Sequence, residues 1–103
     1  IAAMERKYGL RCANVFHAGD GNLHPIILYD ANQPEQTQQA ERFGAEILEL
    51  SVAVGGTITG EHGVGRLKRP WLPAYLGEDA LELNRRIKRA LDPDGILNPG
   101  TML

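Results

Sequence analysis

The sequence predicts an α+β fold: an antiparallel sheet with helices on one face. Three observations lead there. Two strand-like runs, 10–16 and 23–29, flank a Gly-rich turn. A long segment after Asn32 repeats its apolar residues at helical spacing, and a second amphipathic segment opens at Glu78. At 103 residues, 43% apolar and 23% charged, the chain can bury one modest core. A net charge of −2 leaves no basic footprint, so nucleic acid is not an expected partner. No apolar run nears the roughly 20 residues of a membrane span, and no signal-peptide pattern is present. The single Cys12 excludes an internal disulfide and fits a reducing compartment. A cytoplasmic setting is therefore expected. The chain starts at Ile1 on what reads as the end of a helix, so a fragment of a longer protein is expected.

Residues 2–8 form that short helix, with Gly9 as its C-cap. Along the strand 10–16, Cys12, Asn14 and Phe16 face one side, and Arg11, Ala13, Val15 and His17 the other. The turn Ala18-Gly19-Asp20-Gly21-Asn22 has the residues that tolerate a tight reversal. The second strand carries Ile26-Ile27-Leu28, and Pro25 near its start predicts an edge position or a bulge. Asn32 then caps a helix, with Pro34 in its first turn and Glu35 at the capping-box position. The helix runs to about Val54. Ala40, Phe43, Ile47, Leu50 and Val54 make its buried face; Glu35, Gln39, Arg42, Glu46 and Glu49 are solvated. Gly55-Gly56 stops it, and Thr57-Ile58-Thr59 is extended. Pro70 and Pro73 interrupt a helix over 66–75, where Trp71 and Tyr75 are packing residues. Residues 78–91 form a clear helix, acidic at its start and basic at its end as the dipole favours, with Leu83, Ile87 and Leu91 buried. Asp92-Pro93-Asp94-Gly95 and Asn98-Pro99-Gly100 are turns.

Only three histidines are present, and all sit in or beside Gly-rich loops. His17 and His24 bracket the first. His62 follows Glu61 in the second, Gly60-Glu61-His62-Gly63-Val64-Gly65. Imidazole and carboxylate are ligands for zinc and similar divalent ions, and histidine moves protons near neutral pH. A hairpin between His17 and His24 aims both at one point. Glu61 and His62 are neighbours and are expected to diverge, one binding a metal while the other faces a substrate. The glycines around them suggest close approach of backbone to a ligand. Asp20 reads as a turn-former. Arg66, Lys68 and Arg69 form a basic cluster, either solvated or recognising a substrate carboxylate. Cys12 reads as a small buried hydrophobe.

Three motifs occur together: His-Ala-Gly-Asp-Gly-Asn-Leu-His at 17–24, Thr-Ile-Thr-Gly-Glu-His-Gly-Val-Gly at 57–65, and Asp92-Pro93 with Leu97-Asn98-Pro99-Gly100. In that order the chain resembles the FAD-linked oxidases of the vanillyl-alcohol oxidase type, in the branch of the glycolate oxidase FAD-binding subunit and the D-lactate and D-2-hydroxyglutarate dehydrogenases. The resemblance runs from about Asn14 to the end. It implies a C-terminal fragment over 1–103: the remainder of a partial ferredoxin-like cap domain, followed by C-terminal helices and a flavin-contacting tail. The N-terminal FAD-binding domain of the same chain would be its partner, with other oxidase subunits as further partners. The resemblance further implies His17, His24 and Glu61 as ligands of a divalent metal such as zinc, manganese or iron. It implies His62 as the base, and Gly21, Asn22 and Asn98 near the FAD. Thr101 departs from the pattern, which often has lysine there. The implied reaction oxidises a 2-hydroxy acid, of the glycolate or D-lactate type, to the 2-oxo acid, with hydride passing to FAD. The alternatives are a stand-alone metal- or ligand-binding α+β module without redox activity, and a hydrolytic zinc enzyme.

Overall fold

The computed structural model describes residues 1–103. The fold is α+β: four α-helices and a two-stranded antiparallel sheet. The chain divides into two compact units, Ile1–Leu50 and Ser51–Leu103.

In the first unit, α1 (Ala2–Tyr8) ends where Gly9 turns left-handed at φ 66, its N–H donating to Glu5 O at 2.9 Å. Strand β1 (Arg11–His17) pairs with β2 (Asn22–Leu28), in register from Arg11↔Leu28 to His17↔Asn22. The strands lie one residue nearer the turn than the sequence suggests. The register passes through Asn14↔Pro25 without a bulge. In a two-stranded sheet both strands are edges, so Pro25 is tolerated for lack of a second neighbour. Glu5 Oε1 ties α1 to β1 by accepting the Cys12 N–H at 2.7 Å.

Helix α2 (Pro34–Ala53) lays Ala40 and Phe43 on a core with Met4 and Leu10. Cys12 and its strand partner Ile27 pack against that core, whereas Phe16 and Leu23, nearer the turn on the same face, are exposed. The opposite face carries Val15, Ile26 and Leu28, all exposed. The buried stripe of α2 ends at the half-buried Ile47. Leu50 and Val54 are exposed, Val54 by 74%, against expectation. The reason is length. Twenty helical residues span about 30 Å, whereas a seven-residue strand spans about 23 Å.

Two more expectations for α2 need correction. Asn32 does not cap it: its N–H and side-chain amide both donate to Asp30 Oδ1, at 2.9 and 3.1 Å. The residue that reaches back is Gln36, not Glu35, accepting the Asp30 N–H at 2.9 Å. Asp30 gathers this turn because a carboxylate accepts several donors at once. Nor is Glu46 merely solvated. Its Oε2 accepts from Lys7 Nζ at 2.5 Å and Tyr8 OH at 2.6 Å, while the Tyr8 ring stacks on Phe43 with centroids 5.5 Å apart.

In the second unit, Thr57-Ile58-Thr59 is a folded loop rather than an extended segment. The Thr57 hydroxyl donates to Thr59 O at 2.7 Å and accepts the Thr59 N–H at 3.0 Å, which buries Ile58. The broken helix takes the form of a 3₁₀ turn (Arg69–Trp71) running into α3 (Leu72–Leu76). Each proline sits in a first turn, where its missing N–H costs nothing. Gly77, at φ 78, ends α3 and opens α4 (Glu78–Leu91). Leu72 and Leu81 are buried, but the predicted α4 stripe of Leu83, Ile87 and Leu91 is exposed, Leu91 by 78%. Helix α3 packs on α4, and at five residues it covers only the start of the longer helix. Tyr75 is exposed, while Trp71 is half-buried. No helix is long and apolar enough to cross a membrane.

Two substitutions test the first unit. Phe43→Ala empties its centre and should lower unfolding free energy by about 3–5 kcal/mol, read from a urea titration. The bond from Lys7, then that from Tyr8, holds the Glu46 carboxyl below the usual carboxylate value. That stabilisation is present above the ordinary carboxylate pKa and is lost as pH falls through the depressed one. Glu46→Gln should therefore melt lower than wild type at pH 7 and lose less on acidification to pH 3. Equal acid losses would exclude this role.

Candidate functional site

The hairpin register brings the first two candidate residues together. His17 pairs with Asn22 and Val15 with His24, so both imidazoles lie on the same sheet face in diagonal positions. Their ring centroids are 5.3 Å apart, inclined at 68°. The separation of seven residues would oppose them on a straight strand; the reversal restores the common face. The turn is built for this. Gly19 and Gly21 adopt φ 92 and 75, which other residues reach only with strain. Asp20 Oδ1 accepts the Asn22 N–H at 2.9 Å, so Asp20 is spent on the turn. His17 is exposed and His24 half-buried. Two imidazoles converging in this way suit a borderline divalent ion.

In the second unit, Glu61 and His62 lie in a bend and do not diverge as expected. Glu61 Oε1 is 3.4 Å from His62 Nε2. Neighbours point apart only in regular strand or helix, and this segment is neither. The loop glycines also have a different reason. Gly63 and Gly65 hold φ 80 and 61, and nothing lies within 4 Å of where a Cβ would stand. Backbone conformation, rather than close approach of a group in this chain, requires them. Two residues before Glu61, the buried Thr59 Oγ1 has no hydrogen-bond partner, a polar group left for something else to satisfy.

The C-terminal tail meets this loop: the Met102 N–H donates to Gly65 O at 2.9 Å. Arg69, read as part of a basic cluster, donates from Nη1 to Gly100 O at 3.3 Å. Asn98 is exposed and left-handed, at φ 45. Gly21 closes the hairpin turn, Asn22 opens β2 beside it, and Asn98 lies in a bend. No strand here runs through a Gly-rich turn into a helix.

One feature is absent from the sequence reading: Asp92 is a buried anchor, not only a turn residue. Its carboxylate pairs with Lys88 and accepts the N–H groups of Ile96 and Leu97, each at 3.0 Å. The Lys88 bond, with those two N–H groups, holds the Asp92 carboxyl below the usual carboxylate range although burial opposes this. The signal was the four-residue spacing of Lys88 and Asp92 at a helix end. Cys12 is half-buried on the core as expected, and burial raises its thiol pKa.

Residues 1–102 match the family described as FAD linked oxidases, C-terminal domain. Glycolate oxidase subunit GlcD of Escherichia coli K12 is 54% identical over 100 residues, covering 97% of this chain and 20% of that protein. GlcD of Bacillus subtilis is 44% identical, covering 93% and 20%. The mitochondrial D-lactate dehydrogenase [cytochrome] of Arabidopsis thaliana is 44% identical, covering 91% and 17%. The chain spans about a fifth of the length of these relatives.

If Asp20 serves the turn alone, Asp20→Ala should cost about 0.5–1.5 kcal/mol, the usual worth of one hydrogen bond. Asp20→Asn, whose amide oxygen still accepts the Asn22 N–H, should stay near wild type in the same urea titration. Equal losses from both would point to a role for the charge.

Proposed function

The chain belongs to the family of FAD linked oxidase C-terminal domains, and from that premise we propose that it is the substrate-side part of a flavin-dependent oxidoreductase. The reaction is oxidation of a 2-hydroxy acid, of the glycolate or D-lactate type, to the 2-oxo acid. The observation that carries the reading is the convergence of His17 and His24 on one hairpin face. Relatives named glycolate oxidase and D-lactate dehydrogenase support the substrate class.

In this reading, His17, His24 and Glu61 would hold a divalent metal, which when bound would polarise the substrate hydroxyl and orient its carboxylate. Gly21, Asn22 and Asn98 would face FAD, which when bound supplies the hydride acceptor. His62 takes the hydroxyl proton at Nε2. The diphosphate cradle belongs to a flavin domain upstream of these 103 residues. The exposed faces of Val15, Ile26 and Leu28, and of Leu83, Ile87 and Leu91, suit burial against other parts of the parent protein. The proposed setting is the cytoplasm, supported by the free thiol of Cys12, with the inner membrane reached through partner oxidase subunits.

The test belongs in the full-length protein with flavin occupancy checked for each variant. His62→Ala should cut turnover by roughly 10²–10⁴-fold, the range for a general base, and leave metal content unchanged. Glu61→Ala, His17→Ala and His24→Ala should lose both metal and turnover. Metal lost from His62→Ala but kept in Glu61→Ala would reverse the two roles. Unchanged turnover in both would exclude the second loop from the chemistry.

A further inference from the structure

Asn98 stands in a backbone conformation that an L-residue reaches only at a cost, φ 45. Such a residue persists where its surroundings over-determine it, and here they do. Both backbone polar groups of the preceding Leu97 are taken by one ion pair. Its N–H donates to Asp92 Oδ2 at 3.0 Å, and its carbonyl accepts from Lys88 Nζ at 2.6 Å. Lys88 Nζ also binds Asp92 Oδ2, while Asp92 Oδ1 accepts the Ile96 N–H at 3.0 Å. The Asp92 side chain is only 4% exposed.

Downstream, the Thr101 N–H closes a turn on Asn98 O at 3.2 Å, Arg69 holds Gly100 O, and Gly65 O holds the Met102 N–H. None of these bonds involves the Asn98 side chain, which is left exposed between two anchored stretches.

Ending α4 does not require this knot. The helix is already closed by the Asp92 N–H on Lys88 O at 2.9 Å, and the turn by the Gly95 N–H on Asp92 O at 3.1 Å. Every additional bond from the Asp92 and Lys88 side chains, apart from their own pairing, goes to residues 96 and 97, directly before Asn98.

We propose that Asp92 and Lys88 are positioning residues that fix the 96–98 backbone and so present the Asn98 amide to the flavin. This rests on the reading of Asn98 as flavin-facing. A buried carboxylate with both oxygens occupied is rigid, and the lysine closes the ring through Leu97, so the entry to Asn98 has little freedom. Loss of either member should let Asn98 relax out of its left-handed state.

The experiment uses the full-length flavoprotein and a double-mutant cycle. The FAD dissociation constant of the apoprotein and the visible circular dichroism of the bound flavin are measured for Asn98→Ala, Asp92→Asn, Lys88→Met and each double variant with Asn98→Ala. Asparagine can accept from only one of the two N–H groups. Asp92→Asn and Lys88→Met should each weaken FAD binding about 10-fold, within the coupling range for contacting groups, and alter the flavin dichroism. In the Asn98→Ala background either change should add less than about 2-fold. Equal effects in both backgrounds, or none in either, would overturn the positioning role and leave Asn98's own role standing. No effect of Asn98→Ala itself would overturn the flavin-facing reading, and the proposal with it. Should Asp92→Asn fail to fold, Lys88→Met carries the test alone, because it keeps the carboxylate and both backbone N–H partners.

Discussion

The register of the β1–β2 hairpin governs the arrangement of the first unit. Side chains alternate faces along a strand, so a slip of one residue would move every side chain of one strand to the other face. His17 and His24 would then separate, and Cys12 and Ile27 would no longer share the core face. One pairing thus secures both the helix-packed core and the imidazole pair. It is held from both ends. At the turn, Gly19, Asp20 and Gly21 set the reversal; at the base, Phe43, Met4 and Leu10 receive Cys12 and Ile27.

The second unit is organised differently. It buries few large side chains, Ile58, Leu72 and Leu81 among them, and much of its order comes from polar bonds at loop ends. The Thr57 hydroxyl folds the approach to Glu61, Gly65 O receives the tail, and the Lys88–Asp92 knot sets the chain leaving α4. Directional bonds of this kind fix where a backbone points, which a non-directional apolar contact does less well.

The two units share an imbalance. Each leaves apolar surface open: Val15, Ile26 and Leu28 on the hairpin, and Leu83, Ile87 and Leu91 on α4. An antiparallel sheet with a solvated face usually alternates apolar and polar residues. Here Arg11, Asn22 and the histidines are the polar groups on that face, and Ala13, Val15, Ile26 and Leu28 make the rest of it apolar. An amphipathic stripe identifies which side of an element is to be covered. It does not identify what covers it, which is why the periodicity that correctly located the α4 helix misplaced its burial.

Local chemistry was enough to determine the elements and their ends. Gly9 stops α1, the Gly-Asp-Gly turn makes the hairpin, and paired prolines produce a 3₁₀ turn and a short helix. It was also enough to bring His17 and His24 together, because the turn between them is short and its residue types admit few reversals. These features depend on neighbours in sequence. Partnerships across longer stretches could not be read that way. Glu46 meets Lys7 and Tyr8 across 39 and 38 residues, and Arg69 meets Gly100 across 31. Asn32 turned toward Asp30 because a carboxylate with several donors outcompetes a single cap. The contact between Glu61 and His62, and the exposure of Leu50, Val54 and Leu91, likewise waited on the tertiary structure. Propensity and spacing state what a side chain is able to do, whereas its partner is settled by which other groups the folded backbone brings within about 3 Å.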